Sequence, residues 1–336
     1  MIRRIFDSRE KNEDKQLSLR PDSLEKFIGQ DHLKENMAVF MKAARSRSEP
    51  LDHVLLSGPP GLGKTTFANI IAREMQTNIK ATSAPVIEKS GDIAGILSAL
   101  KEKEVLFIDE IHRLRPVVEE VLYSAMEDYA IDIQLGQGNT SKSVKINIPP
   151  FTLIGATTRA GSLTQPLISR FGIVNQFDFY NIDNLKTIIE RNASLYNIAI
   201  DESGIAEIAK RSRGTPRILN RILRRVRDFA QVKGENIINN KIADYALGRM
   251  AIDERGLDTM DRKLLKTIIK NFSGGPVGLD NLATSIAEDT STIEDMYEPY
   301  LIQIGFIKRT PRGRTATASA YQYLNIDNDQ KTFFDT

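Results

Sequence analysis

A lysine, two threonines and three glycines at fixed spacing are the first residues in this chain whose types could do chemistry. The stretch Ser57-Gly58-Pro59-Pro60-Gly61-Leu62-Gly63-Lys64-Thr65-Thr66 fits G-x-x-x-x-G-K-[ST] without a departure. It stands between an apolar run, His53 to Leu56, and a helical pattern from Thr66 to Glu74, which is the strand-loop-helix setting that a phosphate cradle needs. Gly58, Gly61 and Gly63 let backbone N–H groups close around phosphates while the following helix points its positive end at them. Lys64 is placed to reach the β- and γ-phosphates, and the Thr65 hydroxyl to ligate Mg²⁺. A glycine turn that binds nothing is the alternative, and the flanking strand and helix argue against it.

Asp109-Glu110 closes the apolar run Val105 to Ile108. In that place the first carboxylate holds Mg²⁺ through its waters and the second polarises the water that attacks the γ-phosphate. A surface acidic pair is the competing reading, but such pairs do not usually end a buried strand. Asp109-Glu110-Ile111-His112 also spells the DExH box of two-lobed helicases. Those need a second ATPase lobe, which the helical and winged segments after residue 180 cannot supply. Thr158 ends the strand Thr152 to Ala156 and its Thr157-Thr158-Arg159 extension, where a hydroxyl would face the γ-phosphate; alone it reads equally as a strand-end cap. Arg170, in Leu167-Ile168-Ser169-Arg170-Phe171-Gly172, is a type that stabilises charge on a transferring phosphoryl group, although a lone arginine is more often salt-bridged. Arg217 follows a natural N-cap, Thr215, and a first-turn proline, Pro216, so it projects from a helix start. Arg221, Arg224 and Arg225 read as a basic surface stripe.

These residues need a scaffold, and the composition allows one. At 336 residues the chain is long for a single domain, with 41% hydrophobic and 27% charged residues, the mix of an ordinary soluble globular protein. Lys plus Arg number 46 against 44 Asp plus Glu, so contacts to nucleic acid must come from local basic clusters. There are no cysteines, which excludes disulfides and thiolate metal sites. No run approaches the ~18 apolar residues of a membrane span and Met1 to Gln16 has no apolar signal core, so the expected location is the cytoplasm, with no membrane partner.

Residues 1–16 read as a mobile arm, and residues 17–180 alternate strands with helices, as in an α/β domain with a parallel sheet. Within that domain the period switches to two. Ile131, Ile133 and Leu135, a turn at Gly136-Gln137-Gly138-Asn139, and Val144, Ile146 and Ile148 predict a long hairpin at about 130–149. From Asn181 helices take over: Asp183 to Tyr196, Ser203 to Arg211, Pro216 to Lys233 and Asn240 to Met250, making a small all-α domain over 181–252. In 253–336 a helix from Asp258 to Asn271, two short helices and two strands around Pro311-Arg312-Gly313-Arg314 suggest a winged helix.

The ordered set of phosphate loop, Asp-Glu strand, Thr, Arg, then Thr-Pro-Arg in a small helical domain resembles the AAA+ P-loop NTPases. Within them the wording is similar to the RuvB family of bacterial Holliday-junction branch-migration motors. The matching strings are Leu19-Arg20-Pro21, Gly58 to Thr65, Leu106 to His112, Gly155-Ala156-Thr157-Thr158-Arg159, Ser169-Arg170-Phe171-Gly172, Gly214-Thr215-Pro216-Arg217-Ile218-Leu219-Asn220 and the basic C-terminal hairpin. The resemblance implies an ATP- and Mg²⁺-dependent hydrolase whose catalytic set is Lys64, Asp109, Glu110, Thr158 as sensor 1, Arg170 as arginine finger in a neighbouring subunit's site, and Arg217 as sensor 2. It implies ATP contacts from Leu19, Arg20, Gly58, Gly61, Gly63, Lys64, Thr65, Thr66, Glu127, Asp128, Tyr129, Tyr180 and Arg217, with Mg²⁺ held by Thr65 and Asp109. It further implies a homohexamer on double-stranded DNA and four-way junctions, with RuvA and the resolvase RuvC as partners in recombination, repair and the SOS response.

Two segments admit competing readings. The alternation in the hairpin ordinarily means half-buried core, whereas RuvB-like proteins dock such a hairpin on RuvA, which would make Ile146 and Ile148 contact residues. Lys308, Arg309, Arg312 and Arg314 lie together without an acidic neighbour in sequence; they read as a phosphate-contacting wing, by resemblance chiefly Arg309 and Arg314, or as a solvated charge run. Two other functions stay open: a clamp-loader-type ATPase using ATP as an assembly switch, which would carry a helical collar at its C-terminus, and a DNA-binding regulator whose ATPase controls oligomerisation.

Overall fold

The structure is a computed structural model, and it describes residues 20–135, 142–233 and 237–327. The expected arm over 1–16, Leu19 and the hairpin turn at 136–139 lie outside the described residues. The chain divides after Tyr180 into two compact units.

The first unit is built on five parallel strands. In chain order its elements are α1 (Asp31–Arg47), β1 (Val54–Ser57), α2 (Lys64–Glu74), β2 (Ile79–Ser83), α3 (Ser90–Ser98), β3 (Val105–Asp109), α4 (Pro116–Asp128), β4 (Ala130–Leu135), β5 (Lys142–Asn147), β6 (Thr152–Thr157), α5 (Gln165–Ile168) and β7 (Ile173–Gln176). The sheet order is β2-β3-β6-β1-β7, every pairing parallel. Strands β1 and β6 are buried along their whole length, and β3 along all but Asp109. Strands covered on both faces must read as continuous apolar runs, which is why these were legible in the sequence. Leu55, Leu106, Ile108 and Leu153 share one core cluster with Ile93 and Leu97 of α3 and Val118 and Leu122 of α4, while α2 packs against β3 and β6. The edge strand β2 carries the half-exposed sequence Ile79-Lys80-Ala81-Thr82-Ser83 and gave no periodic signal.

Strands β4 and β5 form the expected antiparallel hairpin, with Ile131 opposite Ile146 and Ile133 opposite Val144. The core and docking readings divide between its residues. Ile148, just past β5, is buried in the core cluster, and its N–H donates to the Tyr129 carbonyl at 2.8 Å. Its expected place on a docking face is therefore corrected: the base of the hairpin is pinned to the body, and Ile148 goes inward with it. Ile146 and Val144 are exposed, at 39% and 40%.

The second unit begins with four helices, α6 (Ile182–Leu195), α7 (Glu202–Lys210), α8 (Pro216–Lys233) and α9 (Asn240–Arg249). Asn181, Asp201 and Asn239 cap three of them, each side chain accepting a backbone N–H of the first turn. The two-residue strands β8 (Ala199–Ile200) and β9 (Ile237–Ile238), too short to read from sequence, pair in parallel between the helices. In α8 the buried residues Leu219, Ile222, Leu223, Val226 and Ala230 recur at helical spacing, which leaves its arginines to the other faces.

The same unit continues with α10 (Thr259–Asn271), α11 (Leu279–Ile286), a helical stretch of α12 (Thr290–Thr292), a π-turn (Ile293–Tyr297) and α13 (Glu298–Gln303), then β10 (Ile307–Thr310), β11 (Gly313–Ala316) and α14 (Ala318–Leu324). Its separate core includes Leu264, Leu265, Ile268, Leu282, Leu301 and Phe306. Strands β10 and β11 pair antiparallel, and Val277 bridges to Arg314 as a third, minimal partner. Helices closed by a β-hairpin make a winged helix, where a clamp-loader collar would be helical throughout.

Candidate nucleotide-binding site

In a parallel sheet all carboxyl ends lie on one edge, so the loops after β1, β3 and β6 converge there, with β1 between β6 and β7. The loop after β1 is residues 58–63. Gly58, Gly61 and Gly63 all have positive φ, at 130°, 81° and 106°. A Cβ on Gly58 would sit 2.5 Å from the Phe177 carbonyl oxygen, so at this position glycine is demanded by both conformation and space. Gly63 stands at the N-cap of α2 without a side-chain cap, and the first turn holds no acidic residue. First-turn N–H groups, which have no partner within the helix, and the helix dipole form an anion site. Lys64 is buried at 8% exposure, and its Nζ donates to the carbonyls of Gly58 at 2.6 Å and Pro59 at 2.8 Å. The ammonium is thereby folded into the mouth of the loop.

The loop after β3 supplies the carboxylates. Asp109 is half-buried at the strand end and accepts the Glu110 N–H at 3.0 Å. Glu110 has φ of 51°, a left-handed conformation unusual for a residue with a side chain and commonest where function requires it. Its carboxylate pairs with Arg113 at 2.9 Å. At the end of β6, Thr157 is fully committed: buried, 3.0 Å from His112 Nδ1 and accepting the Arg159 N–H at 2.9 Å. Thr158 is left half-exposed at the sheet edge. Among the described residues no three His, Cys, Asp or Glu side chains cluster as a metal cage. A Mg²⁺ held by one hydroxyl, one carboxylate, waters and phosphates needs none, and Thr65 with Asp109 fits that donor set.

Beneath the loop lies an aromatic floor that the sequence did not announce. Phe27 meets Phe67 edge-on at 5.3 Å, and Phe67 meets Phe177 at 5.5 Å. A Cβ on Gly63 would be 3.1 Å from the Phe27 ring. Tyr180 is buried and its hydroxyl donates to the Leu62 carbonyl at 3.0 Å. The Gln30 side chain donates to the Asp178 carbonyl at 2.6 Å and accepts the Asp178 N–H at 3.2 Å. Segment 20–30, with Arg20 exposed at its start, is thus held against both Gly63 and the chain leading to Tyr180.

His53 is another residue that sequence reading passed over. Its Nδ1 accepts the Leu153 N–H at 2.9 Å, so Nε2 carries the proton toward the Met126 carbonyl at 3.2 Å. Burial holds this imidazole below its ordinary pKa, and it ties β1, β6 and the end of α4 together as a neutral group.

Of the Glu127-Asp128-Tyr129 string only Glu127 meets Arg170, and its neighbours turn to other partners. The Arg170 guanidinium pairs with Glu127 at 3.0 Å, donates to the Pro166 carbonyl at 2.6 Å and lies over the Tyr123 ring at 4.6 Å. Asp128 pairs with Lys145 of the hairpin at 2.9 Å. Tyr129 packs edge-on against His53 and Phe151.

In the second unit Arg217 projects exposed from the first turn of α8, as its spacing predicted. Thr215 occupies the N-cap position, its carbonyl accepting the Leu219 N–H, but its hydroxyl donates backwards to the Arg213 carbonyl at 3.1 Å instead of accepting from the helix. On the wing, Lys308, Arg309 and Arg312 are exposed. Arg314 is not: it is buried at 9% exposure and paired with Glu298 and, at 2.9 Å, with Glu294. Arg309, opposite Arg314 across the hairpin, pairs with the same glutamates. No helix among the described residues is long and apolar enough to cross a membrane.

Three family models match the chain in succession. A model for the Holliday junction DNA helicase RuvB P-loop domain covers residues 19–177, one for the RuvB AAA lid domain 180–253, and one for the RuvB C-terminal winged helix domain 254–325. Among solved structures, the Thermotoga maritima RuvB Holliday junction branch migration motor is 52% identical, with a TM-score of 0.85, over 92% of this chain and 99% of that one. The K64R variant of the same Thermotoga protein superposes with a TM-score of 0.86, at the same identity and coverage. The P-loop, the carboxylate strand end, the lid and the winged helix are therefore parts of one inherited arrangement, and the chain belongs to the RuvB family of AAA+ ATPases, the Holliday junction branch-migration motors.

Proposed function

We propose that this protein works in the cytoplasm as a hexameric ring on duplex DNA and, with RuvA, drives branch migration of Holliday junctions during recombination and repair, handing the junction to RuvC. The observation that carries the reading is the end-to-end succession of ATPase, lid and winged-helix matches in one chain. Residues 17–180 serve as the ATPase lobe, 181–252 as its lid and 253–336 as the DNA-binding head.

In this reading the N–H groups of Gly61 to Thr66 and the Lys64 side chain hold the ATP phosphates, and Arg20, Tyr180 and Leu19 border the base. Thr65 and Asp109 hold Mg²⁺, which supplies positive charge to the β- and γ-phosphates when bound. Glu110 orients and polarises the attacking water once its contact with Arg113 gives way. Thr158 meets the γ-phosphate, and Arg217 reports it to the lid. Arg170 serves the ATP of the adjacent subunit, and its pairing with Glu127 supports grouping Glu127 with it. Lys308, Arg309 and Arg312 hold DNA phosphates, which carry no sequence information and so let a motor step without stalling. Ile146 is the hairpin's contact with RuvA.

The test is dissociation of a synthetic four-way junction with and without RuvA, for the intact protein and Lys64→Ala. We expect ATP- and RuvA-dependent dissociation by the first, and a fall of about 100-fold or more in ATP turnover for the second. ATP hydrolysis without junction processing by the intact protein would sink the motor reading and favour an assembly switch.

A further inference from the structure

Arg213 stands just before the Thr215-Pro216-Arg217 turn, yet its side chain is given over to the winged-helix end of the same compact unit. It is 6% exposed. Its Nε donates to the Gly256 carbonyl at 2.6 Å, its Nη2 reaches the carboxylates of Asp261 and, at 3.3 Å, Asp258, and its guanidinium lies over the Tyr300 ring at 5.3 Å. Its acceptors are themselves fixed. Asp258 and Asp261 form the reciprocal capping box of α10, Asp258 N–H donating to Asp261 at 2.8 Å and Asp261 N–H to Asp258 at 3.1 Å. Tyr300 donates to the Arg255 carbonyl at 2.7 Å.

The backbone here is as constrained as the side chain. Arg213 and Gly214 both have positive φ, 53° and 65°; a left-handed arginine persists only where its surroundings enforce it. The Arg213 carbonyl accepts the Thr215 hydroxyl, so one residue is bonded to the α8 start through its backbone and to the α10 start through its side chain. Arg211 grips the same connector from its other side: it donates to the Ile252 carbonyl at 3.1 Å and pairs with Glu207 and Asp244. A surface link between domains would leave such charges in water. Burial of both arginines makes the junction stiff.

We propose that Arg213 is a positioning residue that transmits the setting of the Arg217 turn to the DNA-binding head, so that the lid and the winged helix move as one lever. This rests on the proposed roles of Arg217 and the head. A planar fork is required, because only arginine can engage Gly256, Asp258 and Asp261 together while stacking on Tyr300. Burial pushes the Asp261 carboxyl up to about 6, and Arg213 is the main influence opposing that rise.

Three variants test the proposal: Arg213→Lys, Arg213→Met, and Arg213→Met with Asp261→Asn. The double variant removes the cation and the buried Asp261 charge together, while an amide oxygen at position 261 still accepts the Asp258 N–H of the α10 capping box, so it keeps the fold even where Arg213→Met alone does not. For each, thermal melting, DNA-free ATPase kcat and KM, duplex affinity at fixed salt, and junctions dissociated per ATP hydrolysed are measured with RuvA present. The double variant is expected to keep melting, basal kcat and KM and duplex affinity close to the intact protein while losing about tenfold in junctions per ATP, a size typical of coupling between two sites. Arg213→Lys is expected to recover only part of that loss. Unchanged junctions per ATP in the double variant overturns the proposal, and so does a matching fall in basal kcat, which would put the residue in service of the nucleotide site. If the intact protein itself dissociates no junctions, the motor reading has failed instead, and the two failures are distinguished by that control.

Discussion

Lys64 illustrates how one residue can be committed in two ways. Its ammonium closes the loop on the carbonyls of Gly58 and Pro59, and the same position faces the anion site at the start of α2. His53 illustrates the opposite case, a titratable group kept out of chemistry. Because burial lowers its folded pKa, the unfolded chain binds the extra proton first as pH falls. The stabilisation is therefore complete above the unfolded value of about 6.5 and is lost below it, with a slope of at most about 1.4 kcal/mol per pH unit for one proton. Urea unfolding between pH 7.5 and 5.5 should show that slope in the intact protein and a shallower one in His53→Gln. Equal slopes would mean that His53 titrates alike in both states.

Two hairpins show how an element can divide its residues between structure and surface. In the β4–β5 hairpin, Ile148→Ser removes a buried side chain and places a hydroxyl among apolar neighbours, an expected loss of about 3 kcal/mol. Ile146→Ser should change stability by less than about 0.5 kcal/mol and abolish RuvA binding, read by pull-down alongside a melting curve. RuvA binding that survives Ile146→Ser would return the hairpin to a purely structural role. On the wing, Arg314→Ala leaves Glu298, 2% exposed, with only the longer contact to Arg309 at 3.4 Å; the expected cost is about 3 kcal/mol of stability. Arg309 is half-exposed, so Arg309→Ala should cost at most about 1 kcal/mol while lowering the slope of log affinity against log salt by about 1. An unchanged slope would remove Arg309 from the DNA contacts.

At the scale of the whole molecule, the proposed ring requires Arg170, which in the single chain pairs with Glu127 and lies over Tyr123, to complete the site of another copy. Lys64→Ala and Arg170→Ala subunits should each be inactive alone. If Arg170 acts between subunits, a 1:1 mixture pairs intact cradles with intact arginines at about a quarter of the sites, and ATPase returns to about that fraction, as head-to-tail ring contacts allow. If Arg170 acts within its own subunit, the mixture stays inactive at every ratio.

The amino-acid sequence by itself determined whatever depends on local pattern: the G-x-x-x-x-G-K-[ST] loop, the apolar runs of β1, β3 and β6, the capped helices of 181–252, the two hairpins and the change of fold class near residue 180. Strands buried on both faces and helices with one apolar stripe must advertise themselves, because burial dictates residue type at each step along the chain. Only the tertiary structure decided which member of a uniform pattern goes inward. It sent Ile148 to the core and left Ile146 outside, and it buried Arg314 against Glu298 while Arg309, directly opposite, stayed half-exposed. It also set Phe27 against Gly63 and Gln30 against Asp178, protonated His53 at Nε2, and turned Arg213 toward Asp261. Such outcomes depend on partners contributed by distant segments. A side chain's local neighbours do not encode the carboxylate, ring or carbonyl that folding brings to meet it.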